Sequence, residues 1–399
     1  MREAVIGGAV VSAVAVWSAL GFIVVRGRAD PALVRGRPLL RSVRWARSVA
    51  VRMACAIGAW PHAVDVARGS HRATRPANDW SLVAGIGLGR LQRLLPASGP
   101  PPPGAPPVLV VHSLVSRSSI LDLTAETSVL GAVGAAGFDV WLLDWAEPAP
   151  ADAMVDLTQL ATIVNEAVRD VRRMSGAADI HVIGYCLGAT LALLAAAAWP
   201  DGGPASLALI APVVDSSADA REGSGMGVLL AHPWFHPALA LDHRGLVPGP
   251  IVREAFHWLR PRARQTIRTW RAARASLATR EAYIAMSGWT WSHLDLPGAV
   301  LMDMTTLYRD APLMGLGWPM AGVQVGLERV RCPVLVIHAE RDHIVPPASS
   351  RALAALAGGP VQLEQAPGGH VGMLVGRSSV EVLQPRLLAW LRSHSGQGD

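Results

Sequence analysis

Ile183-Gly184-Tyr185-Cys186-Leu187-Gly188-Ala189 is a G-x-C-x-G turn between an apolar run at 180–184 and an Ala/Leu-rich stretch at 187–198. An apolar run of five residues reads as a buried strand, and the stretch after it as a helix. Glycines on both sides of Cys186 permit a tight strand-to-helix turn that lifts its side chain above the sheet. The following helix points its N-terminus at the sulfur, which favours a thiolate and a developing oxyanion. The backbone N–H of Leu187 is one expected oxyanion donor, and the loop at 113–115, centred on Leu114, the other. One such donor contributes about 3 kcal/mol to transition-state stabilisation. An isolated cysteine is more often a buried structural residue, so the turn alone does not decide its role.

Further apolar runs at 108–112, 140–143, 207–211 and 334–338 alternate with helical stretches such as 151–174. Strands alternating with helices predict a mainly parallel sheet covered on both faces. Beyond the strand at 334–338 stands Asp342, in His338-Ala-Glu-Arg-Asp342-His343-Ile-Val-Pro-Pro, and then His370, in Pro367-Gly-Gly-His370-Val-Gly. Nucleophile, acid and histidine in that chain order, each at a strand end, predict the α/β-hydrolase fold with Cys186, Asp342 and His370 as its triad. Asp215 is an alternative acid, and His343 a competitor that more simply packs beside Asp342; His112, His181 and His338 read as core histidines. Between 215 and 328 the rhythm breaks, Trp, Arg and Pro become dense, and no clear strand appears. This segment is expected to be a largely helical cap inserted in a core formed by 108–214 and 329–395.

The 399 residues suffice for one large core, and 17% charged with 51% apolar residues excludes a disordered chain. All 36 basic residues are arginine, a coding bias that weakens functional readings of single arginines. The net charge of +6 is uneven: residues 1–100 hold 14 Arg against four acidic residues. That excess follows 22 uncharged residues at 4–25, which as a helix would span about 33 Å, enough to cross a bilayer core of about 30 Å. Residues 1–28 are therefore expected to be a membrane anchor, a hydrophobic helix. Arg26 to Arg47 on its C-terminal side place the catalytic part in the cytoplasm, at the inner membrane. A membrane surface, not nucleic acid, is the partner this basic charge implies. Residues 29–107 read as an Arg-rich helical region and a Pro-rich linker. Cys55, Cys186 and Cys332 form no CxxC pair, so zinc spacing is absent, no metal is expected, and a reducing compartment fits.

Val115-Ser-Arg-Ser-Ser-Ile-Leu-Asp-Leu123, Asp139-Val-Trp-Leu-Leu-Asp-Trp145, the Cys186 turn, Ala339-Glu-Arg-Asp-His-Ile-Val-Pro-Pro347 and Gly368-Gly-His370 together resemble the polyhydroxyalkanoate synthases. The catalytic subunit of the two-subunit class is most similar, over roughly 105–393, with Leu246-Val-Pro-Gly249 and the Trp289/Pro297-Gly298 stretch as further support. The chain departs from the family pattern at Ser116, where Asn is usual, and at Ala189, where a second Gly is usual. The resemblance implies that Cys186 carries the acyl chain, His370 is the base, and Asp342 orients or assists it. Hydroxyacyl-coenzyme A is then the substrate, with no bound cofactor, a growing polyester as product, and an accessory synthase subunit as candidate partner.

The chemistry agrees: a cysteine takes an acyl group from one thioester into another with little loss of activation, and a hydroxyl then accepts it downhill. Water has to be excluded, which suits a cap. A cysteine-nucleophile hydrolase, acting on esters, thioesters or intracellular polymer, is the alternative. Dienelactone-hydrolase-like enzymes share the Gly-Tyr-Cys-Leu-Gly turn, but lack the 114-residue segment before the acid found here. A non-catalytic membrane-anchored scaffold is the second alternative. The arginines at 253, 260, 262, 264, 268, 271, 274 and 280 read either as contacts for coenzyme A phosphates or as a solvated face.

Overall fold

The computed structural model describes residues 76–96, 99–199, 203–222, 225–258, 277–320 and 322–396. Residues 4–25, expected to be an anchor, lie outside the described residues, as do Arg260 to Arg274. Among the described residues no helix is long and apolar enough to cross a membrane.

Eight strands form one sheet: β1 (Asp79–Ile86), β2 (Gly89–Leu95), β3 (Pro107–Val111), β4 (Asp139–Trp145), β5 (His181–Tyr185), β6 (Ser206–Ile210), β11 (Val334–Ala339) and β12 (Val361–Ala366). Their order is β1-β2-β4-β3-β5-β6-β11-β12. From β4 to β12 all neighbours are parallel, while β1 and β2 form a hairpin that joins β4 antiparallel. Each of the five expected strands is present within two residues of its predicted ends. β3, β5, β6 and β11 are buried along their full length, which is why they read as unbroken apolar runs.

Helices α1 (Val129–Ala135), α2 (Leu157–Ser175) and α3 (Leu187–Ala197) cover the sheet. In α2 the buried residues recur as Leu157, Leu160, Ala161, Val164, Ala167, Val168 and Val171, one stripe at helical spacing. Asp156 and Gln159 form a reciprocal capping box at its start, and Gly176, at φ 69°, ends it. α3 is buried on every side, so its sequence is apolar all round.

The structure corrects the reading of 79–95 as part of an Arg-rich helical region. Residues 79–95 are the β1–β2 hairpin, turning at Gly87, where φ is 52°. Arg90 and Arg93 reach across from β2 to Asp144 and Asp139 of β4, and Arg93 also lies over the Trp141 ring. The Asp122 carboxylate ties β1 down by accepting bonds from Asn78 Nδ2 at 2.6 Å and Trp80 Nε1 at 3.0 Å. The proline run is thus a connection inside the sheet domain, between β2 and β3, not a boundary before it.

Segment 215–328 supplies α4 (Gly249–Trp258), α5 (Leu277–Trp291) and α6 (Gly298–Asp310). It also holds two short antiparallel ribbons that were not anticipated. One pairs β7 (Leu246–Val247) with β8 (Leu296–Pro297), the other β9 (Trp318–Met320) with β10 (Val323–Val325). Strands of two or three residues are too short to leave a periodic signal.

Candidate active site

Cys186 sits between β5 and α3 with φ 54° and ψ −124°, a conformation that disfavours any side chain. The turn around it is sterically closed. A Cβ on Gly184 would stand 2.5 Å from Ala189 Cα, and one on Gly188 would stand 2.4 Å from the Val111 carbonyl oxygen. Only glycine lets β5, α3 and the end of β3 converge here.

Asp342 follows β11, and both its carboxylate oxygens are used. Oδ1 accepts the backbone N–H groups of Ile344 and Val345, each at 2.9 Å, and Oδ2 accepts Nδ1–H of His370 at 2.7 Å. That bond sets the imidazole tautomer and turns Nε2 toward Cys186, to whose side chain His370 is also hydrogen-bonded. Cys186, Asp342 and His370 are all buried. Burial opposes charge on the His370 ring, but the Asp342 carboxylate and the Cys186 sulfur outweigh it and raise its pKa to about 10.

The three residues expected to act together are therefore one hydrogen-bonded unit. Asp215, the alternative acid, is engaged elsewhere, holding Ser217 and Arg221; burial raises its pKa, but these bonds prevail and lower it. His343 is exposed. His112 and His181 are buried among core residues, and burial lowers both to about 4; His338 is lowered for the same reason. His181 bridges the hydroxyls of Ser206 and Ser395. His112 bonds the Ser116 carbonyl through Nε2, while its Nδ1 has no partner.

A cavity opens at Cys186 and His370. Ser113, Val115 and Ser116 line it from the loop after β3, Phe256 from α4, and Trp289 and Thr290 from α5. Val115 borders this cavity; Leu114, named beside it as an oxyanion donor, has its side chain in the core. The Leu187 N–H opens α3, a position with no intrahelical acceptor. The Trp289 indole donates to the Arg117 carbonyl at 2.8 Å, fastening α5 to the loop after β3. Ser113 Oγ is buried with no hydrogen-bond partner. The walls from α4 and α5 were not legible beforehand, because they meet Cys186 only through the packing of 215–328. Among the described residues no cluster of His, Cys, Asp and Glu could hold a metal ion.

The family model described as alpha/beta hydrolase fold matches residues 106–376. The chain belongs to this family. Among similar proteins, the poly(3-hydroxyalkanoate) polymerase subunit PhaC of Allochromatium vinosum is 28% identical over 303 residues, 73% of this chain and 83% of that one. The subunit of the same name from Thiocystis violacea is 27% identical over 302 residues, covering 73% and 82%. The one from Haloferax mediterranei is 28% identical over 299 residues, and the match spans 60% of its length.

Proposed function

We propose that this chain is an acyltransferase that polymerises hydroxyacyl-coenzyme A thioesters into polyhydroxyalkanoate, through an acyl group carried on Cys186. The observation that carries the reading is the Cys186–His370–Asp342 unit in a chain similar to named polymerases. Cys186 Sγ attacks the thioester carbonyl with its proton already held on His370 Nε2, where the raised His370 pKa keeps it. The oxyanion is held by the Leu187 N–H and a loop N–H from Leu114 or Val115. The carbon–sulfur bond to coenzyme A breaks, and the leaving thiolate takes the proton from His370. A hydroxyl of another hydroxyacyl group, losing its proton to the same nitrogen, then attacks the acyl-Cys186 carbonyl, so that an ester forms and the cysteine is released. Asp342 stabilises the imidazolium in both halves of the cycle.

Segment 215–328 acts as the cap. Phe256 and Trp289 border the cavity and keep water from an acyl-enzyme that water would hydrolyse. Residues 4–25 anchor the protein with its catalytic part in the cytoplasm, where coenzyme A thioesters are made. Recovery of full-length protein in the soluble fraction would defeat that part of the reading.

Incubation with 3-hydroxybutyryl-coenzyme A, following thiol release and polymer together, tests the function. Release matched by insoluble polyester supports the polymerase; release with free hydroxy acid alone replaces it with the cysteine hydrolase.

A further inference from the structure

Two cavities border Cys186, with Val115, Phe256 and Ile344 in the walls of both. Their chemistry differs. The first contains His370 together with the hydroxyl side chains of Ser113, Ser116 and Thr290. The second is lined by Val213, Met226, Met304, Leu307, Tyr308 and Val345, and His370 is not among its walls. All six are buried, and Tyr308 alone among them carries a polar side-chain atom.

The incoming 3-hydroxyacyl group, whose hydroxyl attacks acyl-Cys186, has two unlike substituents at its third carbon, a hydroxyl and an alkyl branch. The hydroxyl becomes the nucleophile and has to reach His370, which borders only the first cavity. Ser113 Oγ, buried there without a partner, gives that hydroxyl a second group to bond. The alkyl branch is thereby left to the second cavity, which also borders Cys186. A cavity wall with no free hydrogen-bonding group cannot take the hydroxyl without loss, but gains from each methylene placed against it.

We propose that the cavity beneath α6 is the side-chain pocket of the monomer, and that Met226 and Met304 set which hydroxyacyl groups the enzyme accepts. Two methionines on different elements leave the pocket adjustable, since an unbranched thioether fills irregular space. The inference rests on the proposed transfer through Cys186. The growing polyester is the competing occupant, and it would feel the same walls after transfer, not during monomer selection.

The test measures kcat/KM for 3-hydroxybutyryl-, 3-hydroxyvaleryl- and 3-hydroxyhexanoyl-coenzyme A, with product chain length recorded in parallel. Met304→Trp fills the pocket from α6, Met226→Phe fills it from the other side, and Met304→Ala enlarges it. The filling variants should lose about four- to tenfold per added methylene while keeping the shortest substrate. Met304→Ala, which adds no bulk and so keeps the test open if a filled variant does not fold, should shift preference toward the longest. Equal losses across the series in correctly folded variants, or altered product length with unchanged monomer preference, overturn the pocket assignment. Wild-type protein that none of the three substrates acylates refutes the transferase reading itself.

Discussion

The α-carbon of Gly188, in the first turn of α3, packs against the carbonyl oxygen of Val111 at the end of β3, leaving 2.4 Å for any Cβ. The contact brings the loop that begins at His112 beside the N-terminus of α3, where Leu187 and Val115 flank Cys186. Gly188→Ala should therefore destabilise the protein by about 1–3 kcal/mol, as overpacking does. It should also slow Cys186 acylation at least about tenfold, because the two backbone donors are pushed apart. Denaturant unfolding and stopped-flow thiol release measure the two effects, and an unperturbed variant would disprove the close approach.

Cys186 carries strained backbone at φ 54°. Cys186→Gly should raise stability by about 1 kcal/mol by relieving it, while abolishing acylation. Intact-mass spectrometry after exposure to hydroxyacyl-coenzyme A gives the readout. Adduct that persists in the variant, or that maps to Cys55 or Cys332 in the wild type, removes Cys186 from its role.

His370 and Asp342 should fail as one. His370→Ala and Asp342→Ala are each expected to lower turnover by roughly three orders of magnitude or more, and the double variant by little beyond either. Losses that multiply in the double variant would mean that the 2.7 Å bond between them does not make a functional unit.

The raised pKa of His370 also has a signature in stability. The folded protein holds this proton more tightly than the unfolded chain, whose imidazole titrates near 6.5. The stabilisation from this group is complete below about pH 6.5 and is lost as pH rises through about 10. Urea unfolding across that window should show a falling contribution that Asp342→Asn reduces. An identical pH slope in the variant would show that Asp342 does not hold the proton in place.

Ser113 Oγ is buried without a partner beside the nucleophile. Removing such a group is neutral to stabilising for the fold, by up to about 1 kcal/mol. Ser113→Ala should nevertheless lower kcat/KM for 3-hydroxyacyl substrates about tenfold and leave plain acyl thioesters unaffected, since only the former offer a hydroxyl to bond. Equal effects on both substrate types would make the hydroxyl a packing feature.

The triad was readable because each member sits at a strand end with a local pattern that survives in one dimension. The glycines at 184 and 188, the apolar runs, and the order Cys186, Asp342, His370 are all properties of neighbouring residues. The hairpin at 79–95 was hidden for the opposite reason. Arg90 and Arg93 look solvated in a chain rich in arginine, and only β4, some fifty residues away, supplies the aspartates that make them cross-strand partners. Edge strand β12, with Gln362 and Gln365 exposed and Glu364 paired with Arg386, likewise lacks a continuous apolar run.

The sequence by itself determined the fold class and the positions of Cys186, Asp342 and His370 at strand ends, because strand periodicity, glycine sterics and chain order are local constraints. Only the tertiary structure decided which side chains surround the sulfur. Ser113, Met226, Phe256, Trp289 and Met304 come from five separate places in the chain. They become the walls of the two cavities at Cys186 when the described parts of 215–328 pack beside the loops above the sheet, and no spacing along the chain encodes that packing.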